Sequence, residues 1–298
     1  MFKEKILIIG YGSIGERHAR LLSKIVDKKN IYIHTSRKIK SFKVISSLSD
    51  AIISTFDYVV ISNTTNIHFK TLKRIRSVNI DSKILIEKPV FNKLYDLSNI
   101  KNQSNIYVGY NLRFHPVILD TIKFLKNKNI LFFSSECHSN IMKWRKRKFS
   151  NTYSSSKSMG GGVEYELSHE LDLLLLFNPN IKKLSEVKKK ISHLKYKIND
   201  IFLASGRIGK NKYFQISLSL FSNFEKRSFL MIGNNWTIEG DFINNQLMYT
   251  NKKIKKLIKY PNHNIDKTYS NQHINILENN KKNLCTLDQS IKVLKLII

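Results

Sequence analysis

Residues 6–15 read Ile-Leu-Ile-Ile-Gly-Tyr-Gly-Ser-Ile-Gly, and this stretch decides the fold. Four apolar residues make a short buried strand. G-x-G-x-x-G follows at once, and Glu16 to Ile25 continues as a helix. Strand, glycine turn and helix in that order form the phosphate turn of a dinucleotide fold. Gly10 permits the tight turn out of the strand. Gly12 lets the backbone approach a pyrophosphate with no Cβ in the way. Gly15 lets the helix pack close to the sheet. The N–H groups that open the helix, at Ser13 and Ile14, would then face the phosphates.

Working outward, the first third alternates apolar strands with amphipathic segments. The strands are Ile6–Ile9, Ile31–His34, Tyr58–Ser62, Ile84–Ile86 and Ile106–Gly109. This β-α-β order predicts a doubly wound parallel sheet with helices on both faces. The pattern changes at Pro116. A helix is expected from Val117 to Lys126, then a strand from Ile130 to Glu136. A polar, basic loop fills His138 to Met159, and one helix spans Glu164 to Phe177. Alternating strands follow at Ile201–Ile208, Tyr213–Phe221, Arg227–Ile232 and Trp236–Glu239, with hairpin turns at residues 209–211 and 233–235. A last helix covers Leu287 to Ile297. The expected fold class is α/β: a Rossmann domain over residues 1–116, then an α+β domain over 117–298 with an open, mainly antiparallel sheet for substrate binding and oligomerisation.

The chain has 298 residues, 42% of them hydrophobic, enough for real cores. No apolar run is long enough to cross a membrane, and the chain enters a strand too soon for a cleavable leader. The only cysteines, Cys137 and Cys285, lack metal spacing, so no metal site is expected. They read as reduced thiols of a cytoplasmic protein. The net charge of +29 admits nucleic acid as a partner. The lysines are spread along the chain, however, and no nucleic-acid motif is visible. Composition bias is the preferred reading.

The end of the second strand bears on the choice of dinucleotide. An acid there bonds the ribose 2′-OH of NAD; a small residue followed by Arg accommodates the 2′-phosphate of NADP. Here the strand runs out as His34-Thr35-Ser36-Arg37-Lys38, and no acid lies between Asp27 and Asp50. Ser36 can hydrogen-bond a phosphate and Arg37 can pair with it. NADP is therefore favoured over NAD.

Further motifs line up in order. Residues 58–68 read Tyr-Val-Val-Ile-Ser-Asn-Thr-Thr-Asn-Ile-His, 84–90 Ile-Leu-Ile-Glu-Lys-Pro-Val, 108–116 Val-Gly-Tyr-Asn-Leu-Arg-Phe-His-Pro and 160–172 Gly-Gly-Gly-Val-Glu-Tyr-Glu-Leu-Ser-His-Glu-Leu-Asp. With the glycine turn, they resemble the Gfo/Idh/MocA oxidoreductases, the glucose-fructose oxidoreductase and inositol dehydrogenase relatives. The resemblance spans nearly the whole chain.

That resemblance implies a nicotinamide cofactor held between the two domains. It puts Asn63, Thr64 and His68 near the nicotinamide ribose and Glu87 beside the cofactor. Lys88 falls at the substrate, often before a cis proline. Asn111 and Arg113 fall at the domain junction, and His169 on a helix lining the substrate cleft. His169 is then the proton acceptor for a sugar hydroxyl, and Lys88 polarises the same oxygen. Glu166 lies three residues before His169, so one turn of helix would put both on nearby faces; Glu166 and Asp172 would orient the pair.

More narrowly, Trp144-Arg145, the stretch 153–157 and the triple glycine resemble members from bacterial surface-glycan pathways. Between Cys137 and Val163 there is no acid and there are six Lys or Arg. That bias suits an anionic sugar or nucleotide sugar. The expected function is an NAD(P)-dependent sugar oxidoreductase in surface-polysaccharide or modified-sugar biosynthesis, assembled as a homo-oligomer. A non-catalytic dinucleotide-binding regulator of the same fold is the alternative.

Overall fold

The computed structural model describes residues 1–144, 156 and 159–298. The chain divides into two compact units. The first comprises Met1–Phe114 with Ile265–Leu296 and Ile298, the second His115–Asn264 with Ile297.

The first unit opens with β1 (Ile6–Ile9), α1 (Ser13–Leu22), β2 (Ile31–His34) and β3 (Lys43–Ile45). It continues with α2 (Asp50–Ile53), β4 (Tyr58–Ile61), α3 (His68–Val78), β5 (Lys83–Ile86) and β6 (Ile106–Val108). These strands lie in the order β3-β2-β1-β4-β5-β6, all parallel. That is the doubly wound order, in which the crevice for a ligand opens beside β1, at the carboxyl ends of the strands. Register follows burial: Ile6 faces Ile31 on one side and Tyr58 on the other, and all three are fully buried. Strands buried on both faces need unbroken apolar runs, which is what Ile6–Ile9 and Tyr58–Ile61 supply.

The second unit begins with α4 (Pro116–Phe124) and β7 (Phe132–Asn140), followed by α5 (Val163–Glu166) and α6 (His169–Phe177). Seven more strands follow: β8 (Ile181–Lys189), β9 (Ile201–Ile208), β10 (Tyr213–Ser219), β11 (Phe221–Gly233), β12 (Trp236–Asp241), β13 (Gln246–Asn251) and β14 (Lys255–Lys259). They form one sheet in the order β14-β13-β12-β11-β7-β10-β9-β8. Only the central β7–β10 pair is parallel. Phe133, Phe202, Phe214, Ile216, Phe229, Met231 and Ile238 are buried under α4, α5 and α6. Each such side chain contributes about 1.5–3 kcal/mol. Their neighbours in sequence, Leu203, Tyr213 and Ile232, are exposed on the other face. The α/β class with a second, mainly antiparallel sheet is therefore observed.

The chain then returns to the first unit as α7 (Ile265–Leu277), β15 (Cys285–Thr286) and α8 (Leu287–Ile297). β15 pairs antiparallel with β6, α7 packs on α1, and Thr286 with Gln289 forms a capping box on α8. A single cut at 116/117 therefore does not describe the units: edge pairing at β6 and the polar buried face of α7 draw residues 265–296 back.

Two local expectations also change. The helix expected over 164–177 is broken at Leu167 and Ser168, because Leu167 leaves helical geometry and a new helix starts at His169. β7 runs through to Asn140, into the stretch expected as loop. Among the described residues, every non-glycine at positive φ is an asparagine, including Asn211 and Asn235 in the two anticipated hairpins. Asn tolerates that region because its short amide bonds locally to the backbone.

Candidate functional site

The turn after β1 is built by contact with β4. Gly10 has φ +96°, and a Cβ there would lie 2.6 Å from the Asn63 nitrogen. A Cβ on Gly15 would lie 2.1 Å from the Gly10 carbonyl oxygen. Ser62 Oγ donates to that same oxygen at 2.9 Å, which ties the turn to the end of β4. Gly12 differs from both. It is the N-cap of α1, with φ −80° and ψ −170°, and a Cβ there would meet nothing within 4 Å. The fold requires glycine at 10 and 15; at 12 it does not, and the open backbone there leaves room for a ligand to approach. No side chain caps α1, so its first N–H groups, at Ser13 and Ile14, stay available to an anion.

Across the crevice, Asn63 donates its amide to Thr71 Oγ1 at 2.9 Å. Its buried Oδ1 has no hydrogen-bond partner, nor has that of Asn66. Thr64 occupies the N-cap position of the short turn leading to α3, without a side-chain capping bond. His68 is buried, with Nε2 3.1 Å from the Asn63 carbonyl and Nδ1 3.1 Å from that of Val90. Burial lowers its pKa, opposed by those carbonyls. In the neutral form it donates to one of them at a time. His68 thus fastens the loop after β4 to the loop after β5. At the end of β2, Ser36 and Arg37 are exposed, and Arg37 is held through its own N–H, donated to Thr35 Oγ1 at 3.2 Å.

Glu87 and Lys88 follow β5, and the Lys88–Pro89 bond is cis. Glu87 is 6% exposed. Its Oε2 accepts the Lys88 N–H at 3.2 Å, and its Oε1 lies 2.9 Å from His18 Nε2. Asn111 and Arg113 are buried and serve the returning segment. Asn111 donates to Thr268 Oγ1 at 2.5 Å, and Arg113 donates to the Leu284 carbonyl and to Gln289 Oε1 at 2.8 Å.

In the second unit, His169 is the first residue of α6 and is 8% exposed. Asp172, one turn later on the same helix, is fully buried. Glu166 ends α5 and is buried, across the break from His169 rather than on one continuous helix with it. Glu164 Oε1 accepts from Asn199 Nδ2 at 2.8 Å. Glu170, fully buried, accepts from Arg227 Nε at 2.7 Å. Trp144 donates Nε1–H to Ser139 Oγ at 2.6 Å. Arg145 and the basic stretch that follows it lie outside the described residues. No group of side chains among the described residues could hold a metal ion. Cys137 and Cys285 are buried and not joined in a disulfide, and no described helix is long and apolar enough to cross a membrane.

The structure thus brings Gly10, Gly12, Gly15, Asn63, His68, Glu87 and Lys88 into one unit, and His169, Glu166 and Asp172 into the other. Sequence reading missed His18, His273 and Tyr58, which share the buried polar centre around Glu87. It also missed Glu170 and Arg227. His18 was findable: three residues past Gly15, it falls on the buried face of α1. The turn, the orphaned Asn63 amide oxygen and the open space at Gly12 fit a dinucleotide.

No protein-family profile and no curated protein matches the chain. Solved structures do. UDP-N-acetylglucosamine 3-dehydrogenase GnnA from Acidithiobacillus ferrooxidans superposes with a TM-score of 0.79 at 16% identity, covering 100% of this chain and 96% of its own. Levoglucosan dehydrogenase in complex with NADH gives 0.82 at 13% identity, covering 98% and 94%. An oxidoreductase from Desulfitobacterium hafniense described as NADPH-dependent gives 0.79 at 12% identity, covering 99% and 94%. Over essentially its whole length the chain shares the fold of these dehydrogenases and oxidoreductases.

Proposed function

We propose that the chain is a nicotinamide-dependent oxidoreductase of the Gfo/Idh/MocA family. In this reading it moves a hydride between the nicotinamide and a carbon of a sugar or nucleotide sugar. One observation carries the proposal: the N-cap of α1 is a glycine for which the fold itself has no use. The shared fold with two sugar or sugar-nucleotide dehydrogenases supports the substrate class.

The bound cofactor supplies the hydride acceptor or donor; the chain supplies the rest. Gly12 and the N–H groups opening α1 would hold the pyrophosphate, and Asn63 and Thr64 would flank the ribose. Ser36 and Arg37 favour a 2′-phosphate, hence NADP. In the oxidative direction the hydroxyl proton passes to the His169 imidazole while Lys88 stabilises negative charge on that oxygen; in reverse His169 returns the proton. Asp172 and Glu166 orient His169. Asn111 and Arg113 enter as residues that fix the chain after β6. The run of bases between Cys137 and Val163 suits an anionic substrate, such as a precursor of surface glycan or a modified sugar. The uncovered face of the eight-stranded sheet would pair with a second copy, and the cytoplasm, where the cofactor is plentiful, is the fitting compartment.

The test is a titration with NADPH and NADH followed by nicotinamide fluorescence, on the wild type and on Gly12→Ala. The wild type should bind NADPH more tightly. Gly12→Ala should keep its melting temperature and lose at least about tenfold in affinity, roughly 1.4 kcal/mol. No binding of either nucleotide by the wild type would overturn the proposal. Binding without turnover on any acidic or nucleotide sugar would favour the regulatory alternative.

A further inference from the structure

Four side chains from four separate parts of the first unit meet in a single buried file. Tyr58 Oη lies 2.8 Å from His273 Nδ1, His273 Nε2 lies 2.8 Å from His18 Nδ1, and His18 Nε2 lies 2.9 Å from Glu87 Oε1. Tyr58, His18 and His273 are fully buried, and Glu87 nearly so. The rings stand edge to face: 78° between the two imidazoles and 69° between His273 and Tyr58. Tyr269 packs edge-on against His18 from the same helix as His273.

With Glu87 as a carboxylate, the file has one proton arrangement in which every contact is a hydrogen bond and each imidazole is neutral. Tyr58 O–H donates to His273 Nδ1, His273 Nε2–H donates to His18 Nδ1, and His18 Nε2–H donates to the Glu87 carboxylate. Burial lowers the His273 pKa and raises that of Tyr58, in keeping with a neutral imidazole and an intact phenol. The Lys88 N–H also donates to Glu87, so both of its carboxylate oxygens act as acceptors. Tyr58 closes the far end of the file in the core, so the file holds protons in place and does not lead them to water.

We propose that His18 and His273 are positioning residues for Glu87: with Tyr58 they form a one-directional hydrogen-bond relay that fixes its carboxylate and, through it, the backbone at Lys88. The consequence for catalysis rests on the oxidoreductase reading, in which Lys88 meets the substrate. The relay itself does not. Because the Glu87 carboxylate can only accept, it sets the His18 tautomer, and His18 Nδ1, left as an acceptor, sets that of His273.

The experiment uses the full chain without added ligand, observing the histidine side chains by long-range ¹H–¹⁵N correlation. His18 and His273 should each appear as a single neutral Nε2–H tautomer. In Tyr58→Phe the His273 Nδ1 resonance should move, because its donor is gone, while His18 keeps its tautomer and the circular-dichroism spectrum is unchanged. A Tyr58→Phe spectrum in which His273 Nδ1 keeps its wild-type shift would overturn the relay, as would a cationic His18 or His273, or an Nδ1–H tautomer of either, in the wild type. Should Tyr58→Phe fold poorly, the wild-type tautomers alone decide. In parallel, NADPH affinity or turnover of Tyr58→Phe should fall severalfold. Unchanged values alongside an altered His273 resonance would overturn the positioning role. Failure of the wild type to bind nucleotide would instead strike the functional reading and leave the tautomer result standing.

Discussion

A Cβ on Gly109 would lie 2.7 Å from Glu87 Oε1: the carboxylate occupies the space that a side chain after β6 would take. Glu87 cannot swing away freely, because His18 holds the same oxygen. Gly109→Ala should therefore destabilise the first unit by about 1–3 kcal/mol through overpacking. Removing the obstacle in Gly109→Ala/Glu87→Ala should recover part of that loss. Urea midpoints of the two single variants and the double variant give the coupling, and simple additivity would contradict the contact.

Acid should weaken the second unit through His115. Its pKa is lowered to about 3, first by burial and then by the neighbouring His263. The folded state thus resists a proton that the unfolded chain takes up near its ordinary value. Stability is complete above that value and falls as pH drops below it, by about 1.4 kcal/mol per pH unit. Both tryptophans, Trp144 and Trp236, belong to this unit, so their fluorescence in urea reports it. His115→Asn keeps an N-cap acceptor for α4 and should reduce the slope between pH 6 and pH 4 by that amount. An unchanged slope would assign the acid sensitivity elsewhere.

Arg227→Ala should be severe. It strands the fully buried Glu170 carboxylate without the guanidinium that donates to it at 2.7 Å. Breaking one side of such a pair costs about 3–5 kcal/mol, whereas replacing both with apolar residues costs far less. Arg227→Met/Glu170→Leu should accordingly be more stable than Arg227→Ala, as read from tryptophan fluorescence.

His169→Ala should lower turnover by about 10²–10⁴ and leave NADPH affinity within error. Equal losses in both would take the proton-transfer role away from His169.

What the sequence disclosed was local or strongly periodic. Ile6 to Gly15 is contiguous, and each of its residues has a reason that neighbouring residues supply. The strands that escaped notice are β3, β8, β13, β14 and β15, and the two edges of the second sheet show why. β8 carries Lys182, Lys183, Lys188 and Lys189, and β14 carries Lys255, Lys256 and Lys259. Lysine on an edge strand prevents pairing with another chain, and it also hides the strand from a hydrophobicity pattern. α7 escaped because half of its buried face is polar: Thr268, Gln272 and His273 share it with Tyr269, Ile276 and Leu277 and break the apolar pattern that would mark a helix. The file ending at Glu87 was out of reach for a different reason. His18 and His273 are 255 residues apart, and nothing local to either names the other. Conversely, the continuous helix expected through Glu166 and His169 overran a break that two ordinary residues, Leu167 and Ser168, do not announce.

The return of residues 265–296 to the first unit orders events during synthesis. At about 5–20 residues per second, the ribosome delivers His273 roughly 10–50 s after His18, the two being 255 residues apart. Until then the nascent sheet has an unpaired edge at β6, because β15 has not been made. The second unit needs almost nothing beyond Asn264 and can close on the ribosome in the meantime. The first unit is begun first and completed last, and over that interval its bare β6 edge is where a chaperone would find the chain.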